Sequence, residues 1–209
     1  MLPLVQSYFP EIPQTTIKKM EEFKNLLIEW NEKVNVISRK DTENFEERHL
    51  LHSLALARVV TFRKGTRVVD IGTGGGFPGL PLAILYPEVK FVLVDSIAKK
   101  TNLVQDIATK LDLKNVTVVN GRVEDLIDVF DYAVSRAVAP AKKLLNWIDG
   151  LMLIDEKKFV TGGIYFLKGG DLKEELREAK LPARIYPIAE MYDSEFFETK
   201  KIVAFRKTK

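Results

Sequence analysis

The chain has 209 residues, 46% of them apolar and 29% charged, with a net charge of +3; that suits one α/β domain with an appended segment and does not by itself imply a nucleic-acid partner. It contains no cysteine, which excludes disulfides, thiolate metal sites and a cysteine nucleophile, and only His49 and His52 offer imidazole, so no metal site is expected. No charged stretch leads into an apolar one at the N-terminus, and the longest uncharged run, 71–87, is interrupted by glycine and proline and too short for a bilayer, so a cytoplasmic protein without a membrane partner is expected.

Residues 1–13 carry three prolines and no sustained periodicity, and read as an arm or a short turn followed by a helix start. Ile17, Met20, Phe23, Leu26, Leu27, Trp30 and Val34 then recur at spacings of three and four, which predicts an amphipathic helix. After a polar turn around Ser38-Arg39-Lys40-Asp41, a second helix is predicted over 43–62 with Leu51, Leu54, Ala55 and Val59 inward. These helices belong to no βαβ repeat. Residues 1–64 therefore read as an N-terminal arm and helical cap on a sheet, and 65–209 as the core, within one compact domain.

From Thr66 strands and helices alternate. Strands are predicted over 67–71, 90–94, 116–120, 130–135 and 158–167, and helices over 79–86, 97–111, 141–153 and 173–180, with a short helical connection at 123–128. Segments 183–188 and 201–206 read as a final antiparallel pair. The order implies an α/β protein with a mostly parallel, doubly wound seven-stranded sheet. Basic residues gather at Lys99-Lys100, Lys142-Lys143, Lys157-Lys158 and Lys200-Lys201, and at Arg206, Lys207 and Lys209; any one group alone reads as a solvated face.

The densest signal is Val68-Val69-Asp70-Ile71-Gly72-Thr73-Gly74-Gly75-Gly76-Phe77-Pro78-Gly79, a buried strand, a tight turn and a helix start. Glycines there let the backbone approach a ligand lying over a helix N-terminus. Gly74-x-Gly76-x-x-Gly79 also fits the dinucleotide spacing, but a carboxylate at Asp70 would repel pyrophosphate and would suit a cation. The pattern resembles motif I of the S-adenosylmethionine-dependent methyltransferases, whose cofactor carries an ammonium and a sulfonium. The apolar run Phe91-Val92-Leu93-Val94 ends in Asp95, about twenty residues beyond the turn, where an acid can accept from a ribose and also cap the next helix. Ligands of such sheets sit at the strands' C-terminal ends, which here carry Asp70, Gly72, Thr73, Gly74, Gly76 and Phe77, then Asp95 and Ser96, then Arg122, Val123 and Glu124, and finally Ser135 to Ala137 with Arg136.

The whole motif order resembles the bacterial small-subunit ribosomal RNA guanine-N7 methyltransferase family, RsmG, also called glucose-inhibited division protein B. The resemblance rests on Trp30-Asn31 with Asn35 and Ser38-Arg39, on Arg48-His49, and on Asp70 through Pro81, with its Gly-Phe-Pro-Gly-Leu-Pro segment. It continues through Leu93-Val94-Asp95-Ser96, Arg122-Val123-Glu124, Val134-Ser135-Arg136-Ala137 and Leu167-Lys168-Gly169. It implies a Rossmann-like class I methyltransferase fold, S-adenosylmethionine as cofactor, and a guanosine in the 530 loop of 16S ribosomal RNA as acceptor, with the small subunit as partner and a monomeric enzyme. By motif, Gly72 and Phe77 would touch the cofactor, Val123 and Glu124 would flank its adenine, and Arg136 would line the same pocket. The family pattern Arg-His-x-x-Asp-Ser has one departure here, His52 in place of the Asp.

The chemistry agrees. Guanine N7 has a free lone pair, so methyl transfer to it needs alignment and no nucleophilic residue. Cytosine-C5 methylation would need a thiolate, which the chain lacks. Exocyclic-amine enzymes carry Asn/Asp-Pro-Pro-aromatic after the fourth strand, where this chain has Ser135-Arg136-Ala137. Arg136 and Arg122 are the candidate catalytic residues, orienting cofactor or RNA phosphate, with no general base. The alternatives are a nicotinamide oxidoreductase, a non-catalytic RNA- or ribosome-binding protein on the same fold, and a methyltransferase for another RNA, protein or small molecule.

Overall fold

Five apolar runs form the parallel part of one sheet. These are β1 (Arg67–Ile71), β2 (Lys90–Asp95), β3 (Val116–Asn120), β4 (Tyr132–Arg136) and β5 (Gly163–Gly169). The antiparallel strands β6 (Ala183–Pro187) and β7 (Lys200–Phe205) complete the order β3-β2-β1-β4-β5-β7-β6. The structure is a computed structural model that describes residues 1–136, 138–153 and 163–205. The first part of the strand expected at 158–167 and the basic residues Lys157, Lys158, Arg206, Lys207 and Lys209 lie outside the described residues.

The central strands need apolar residues at every position because both faces are covered. Val68, Leu93 and Val134 pack toward the N-terminal helices, α5 (Gly79–Leu85) and α6 (Ala98–Lys110). Val69, Val94 and Ala133 pack toward α7 (Ala141–Trp147) and α8 (Lys173–Ala179). Ile71 pairs with Val94 on one side and Ser135 on the other, so β1, β2 and β4 finish side by side. That is the switch point, where the chain leaves β1 for opposite directions and a crevice opens.

The helical cap departs from its sequence pattern in two places. The segment 1–13, expected as an arm or a short turn ahead of a helix start, carries a helix of its own: α1 (Pro3–Tyr8) forms, Leu2 and Val5 are fully buried, and the Val5 N–H donates to Glu46 Oε1 at 2.7 Å. The apolar spacing Leu2, Val5, Phe9, Ile12 is helical but too short to stand out against three prolines; tertiary burial supplies the stability. The helix predicted over 43–62 is instead broken. A short α3 (Arg39–Glu43) is followed by a π-helical turn (Glu46–Leu51), the α-turn α4 (His52–Leu54) and a 3-10 turn (Ala55–Arg58). A π-turn inserts one extra residue and so rotates the next turn of the chain about the helix axis. It buries His49, Leu50 and Leu51 consecutively, which a regular helix face does not do.

By contrast α2 (Gln14–Asn31) matches its periodicity and buries Ile17, Met20, Phe23 and Leu27, each contributing about 1.5–3 kcal/mol. The Trp30 indole N–H donates to Asp106 of α6 at 2.7 Å, fixing the cap to the core. The helix expected over 141–153 ends at Trp147; Leu151 and Met152 pack into the core instead, with Met152 bridging to Phe130.

Candidate active site

The glycine turn is locked from beneath by Asp70. Its Oδ2 accepts from the Thr73 hydroxyl at 2.7 Å and from the Gly79 N–H at 2.9 Å, tying the end of β1 to the start of α5. A Cβ on Gly79 would stand 2.7 Å from that oxygen, so the residue must be glycine. Gly72, Gly74 and Gly76 have φ of +66°, +59° and +92°, the left-handed region that side chains resist. Asp70 is thus fully buried below the turn. It does not line the crevice, and neither does Gly76. The direct contact between Asp70 and a cofactor cation expected from the sequence is replaced by a scaffold role, because strand alternation turns its side chain under the helix rather than toward the opening.

Burial raises the Asp70 carboxyl to about 7, against the lowering effect of the Thr73 and Gly79 hydrogen bonds and of Arg136. Its folded value therefore lies above its ordinary 3.8, so the folded state holds the proton more tightly and this group's contribution to stability falls as pH rises from about 4 to 7. His49 acts oppositely: its folded value of about 3 lies below 6.5, so stability is lost as pH falls through that window. Asp70→Asn removes only the first effect. The variant is expected to lose more stability than the parent between pH 7 and pH 4 in urea unfolding; equal losses would contradict a buried, titrating Asp70.

Above the turn lies a cavity of about 450 Å³. Of the residues expected there, Gly72, Thr73, Gly74, Phe77, Asp95, Ser96, Arg122, Val123, Glu124 and Arg136 all line it. Asp95 ends β2 and is nearly buried, with Oδ2 accepting from the Gly74 N–H at 3.0 Å and Oδ1 from the Ile97 N–H at 2.9 Å. Both functions read from the sequence coexist, since each oxygen keeps a second lone pair for a ribose hydroxyl. The Arg122 guanidinium is exposed and 3.6 Å from Glu124, a rim ion pair at the mouth.

Sequence reasoning missed Val36, Ile97, Lys100, Val138 and Trp147 in the lining. Val36 comes from the cap, where Asn31 accepts from the N–H groups of Val36 and Ile37 at 2.9 and 3.0 Å and donates to the Ile37 carbonyl at 3.0 Å. The Asn31 of the Trp-Asn motif therefore folds the loop that presses Val36 onto Gly75. The motif itself was the available signal.

The inner wall is a stack. The Arg136 guanidinium carbon lies 4.5 Å from the Phe77 ring centroid, and the His49 ring stacks on Phe77 at 4.8 Å. Arg136 Nη1 is 3.0 Å from His49 Nδ1 and 3.4 Å from the Arg48 carbonyl oxygen. A guanidinium only donates, so Nδ1 accepts and the imidazole proton sits on Nε2, which has no hydrogen-bond partner among the described residues. Burial, then Arg136, keeps His49 neutral, and it cannot act as a general acid at neutral pH. Burial lowers Arg136 to about 10, with Asp70 and Asp41 opposing, so it stays a cation. His52 is buried edge-on against Phe196 and Phe197, and burial together with Arg136 holds it neutral. At the position where the family pattern has a carboxylate, this chain has the neutral His52, and the carboxylates that act on Arg136 are Asp70 and Asp41.

The family model described as GidB, rRNA small subunit methyltransferase G, matches residues 16–194. The chain belongs to this family. Relatives named ribosomal RNA small subunit methyltransferase G include one from Cytophaga hutchinsonii, 43% identical over 97% of this chain and 98% of its own. Another, from Bacteroides thetaiotaomicron, is 46% identical over 97% of this chain and 98% of its own. Among solved structures, MtNAS in complex with S-adenosylmethionine superposes with a TM-score of 0.57 at 19% identity, covering 88% of this chain and 73% of that one. A precorrin-6y C5,15-methyltransferase from Geobacter metallireducens gives 0.56 at 14% identity over 84% and 92%. These likenesses, with the seven-stranded sheet, give the Rossmann-like class I methyltransferase fold. The Arg48-His49 pair lies on the π-turn facing Arg136.

Proposed function

We propose that this chain uses S-adenosylmethionine to methylate N7 of a guanosine in the 16S ribosomal RNA of the small subunit. The observation that carries the reading is that the glycine turn, Asp95 and Arg136 meet in one cavity at the switch point, in a chain whose family relatives are named for the small-subunit ribosomal RNA. The residues fit the cofactor: Asp95 keeps free lone pairs for ribose hydroxyls, Val123 and Glu124 stand where an adenine would lie, and bare Gly72 leaves room that a Cβ would fill against Val138. When bound, the cofactor supplies an electrophilic methyl on a cationic sulfur. Guanine N7 would supply its own lone pair to that methyl as the sulfur–carbon bond breaks and S-adenosylhomocysteine leaves, so the protein would have no acceptor proton to remove.

What remains for the protein is alignment and exclusion of water, which supplies roughly 7–11 kcal/mol in well-oriented reactions. Arg136, rigid on Phe77 and His49, orients cofactor or RNA phosphate, and Arg122 offers a mobile cation at the rim. Residues 1–64 serve as a cap that completes the pocket through Val36, and 65–209 as the transfer core, in a monomer working in the cytoplasm. No helix among the described residues is long and apolar enough to cross a membrane.

Calorimetric titration tests the cofactor assignment. S-adenosylhomocysteine is expected to bind one-to-one in the micromolar range, with NADH showing no uptake; NADH binding without S-adenosylhomocysteine binding would contradict it.

A further inference from the structure

A second cavity, of about 540 Å³, opens on the cap-covered face of the sheet at the edge opposite the switch point. Its floor is set by register. Tyr132 lies beside Gly163, and one row further on Tyr165, Ala204 and Arg184 run across β5, β7 and β6. Gly163 and Ala204 put no bulk between the tyrosines, and the Val59–Arg63 segment leaving the cap walls the other side.

Its chemistry is one-sided. Arg63 and Arg184 both line it, and none of the described residues lining it is acidic. The Arg184 guanidinium carbon lies 4.9 Å from the Tyr186 ring centroid. Burial raises the pKa of the Tyr132 hydroxyl, which lies within reach of both Arg63, which lowers it, and Asp131, which raises it. The Arg63 backbone is fixed, its carbonyl accepting from the Thr66 hydroxyl at 2.6 Å and the Thr66 N–H at 3.1 Å. Two guanidinium groups beside the partly exposed rings of Tyr165 and Tyr186 match a planar ring that carries a phosphate. The volume falls within the roughly 300–1,000 Å³ usual for small-ligand sites.

We propose that this cavity is a second nucleotide-binding site, holding a base against Tyr186 and Tyr165 and its phosphate on Arg63 and Arg184. It is separate from the methyl-transfer cavity, so both can be filled at once. The nucleotide has two sources, a free mononucleotide or one unit of an RNA strand, and the proposal stands apart from which base the enzyme methylates.

The test uses the full chain with S-adenosylhomocysteine saturating the first cavity. GMP, AMP and a fluorescent oligouridylate of six nucleotides are titrated against wild type, Arg63→Ala/Arg184→Ala and Tyr186→Ala. At least one probe is expected to bind wild type, and each variant to weaken it about tenfold or more. Affinity for S-adenosylhomocysteine should be unchanged in all variants, which lie away from the first cavity, and the thermal midpoint unchanged in Arg63→Ala/Arg184→Ala, whose side chains are exposed; Tyr186 packs partly against the core, so Tyr186→Ala is compared at a temperature where it is fully folded. Binding of a mononucleotide identifies the free source, and binding of the oligonucleotide alone identifies the strand. No binding of any probe at millimolar concentration would overturn the proposal. So would undiminished affinity in either variant; in Tyr186→Ala it would reduce the site to unspecific attraction between charges.

Discussion

Gly72→Ala is expected to weaken S-adenosylhomocysteine binding by about a hundredfold or more while the chain stays folded. Two independent effects add. The residue has φ of +66°, which costs an L side chain about 1–2 kcal/mol. Its new Cβ would also stand 2.6 Å from Val138 Cγ2 and 2.8 Å from Cγ1, and Val138 can retreat only by moving the cavity wall. Gly72→Ala/Val138→Ala relieves the contact and leaves the backbone strain, so it should recover part of the affinity and not all. Gly65 is the control, with φ of +79° and nothing near its Cβ direction; Gly65→Ala should cost about 1–2 kcal/mol of stability and no affinity. Titration of all four proteins decides, and parental affinity in Gly72→Ala would mean that the turn does not cradle the cofactor.

Arg136→Ala should lower kcat/KM for methyl transfer by about a hundredfold or more, since it removes a fixed cation that makes charge-assisted contacts. Arg136→Lys should recover little, because a lysine ammonium cannot replace a planar guanidinium lying on Phe77 while donating to His49 and the Arg48 carbonyl. A spectroscopic readout separates this role from mere folding. Arg136 is the second largest influence holding His49 down, so Arg136→Met should raise the His49 pKa, visible in the imidazole NMR signals. Full transfer with full cofactor affinity in Arg136→Ala would remove Arg136 from the site.

Most of the core was legible because its signals are local. Val68 to Ile71 running into four glycines, and Phe91 to Val94 ending in Asp95, place a strand, a turn and an acid with no knowledge of packing. Asp70 shows where that stops. In a strand buried on both faces, apolar pattern cannot say which way one polar residue points, and only the Gly79 N–H, 2.9 Å from Asp70 Oδ2 where an added Cβ would stand at 2.7 Å, reveals it. The cap was less legible for a different reason. Val36 reaches the cavity through side-chain hydrogen bonds from Asn31, and His49 reaches Arg136 through a π-turn, neither of which leaves a periodic trace. Helical spacing at Leu51, Leu54, Ala55 and Val59 is real yet spread over three helical geometries.

The most direct measurement is methyl transfer from radiolabelled S-adenosylmethionine to small ribosomal subunits that lack their natural modifications, followed by mapping of the labelled base. Label on a single guanosine of 16S ribosomal RNA, recovered as 7-methylguanosine, is the predicted result. No label on the RNA while the cofactor still binds would contradict the proposed acceptor and leave the pocket serving another one.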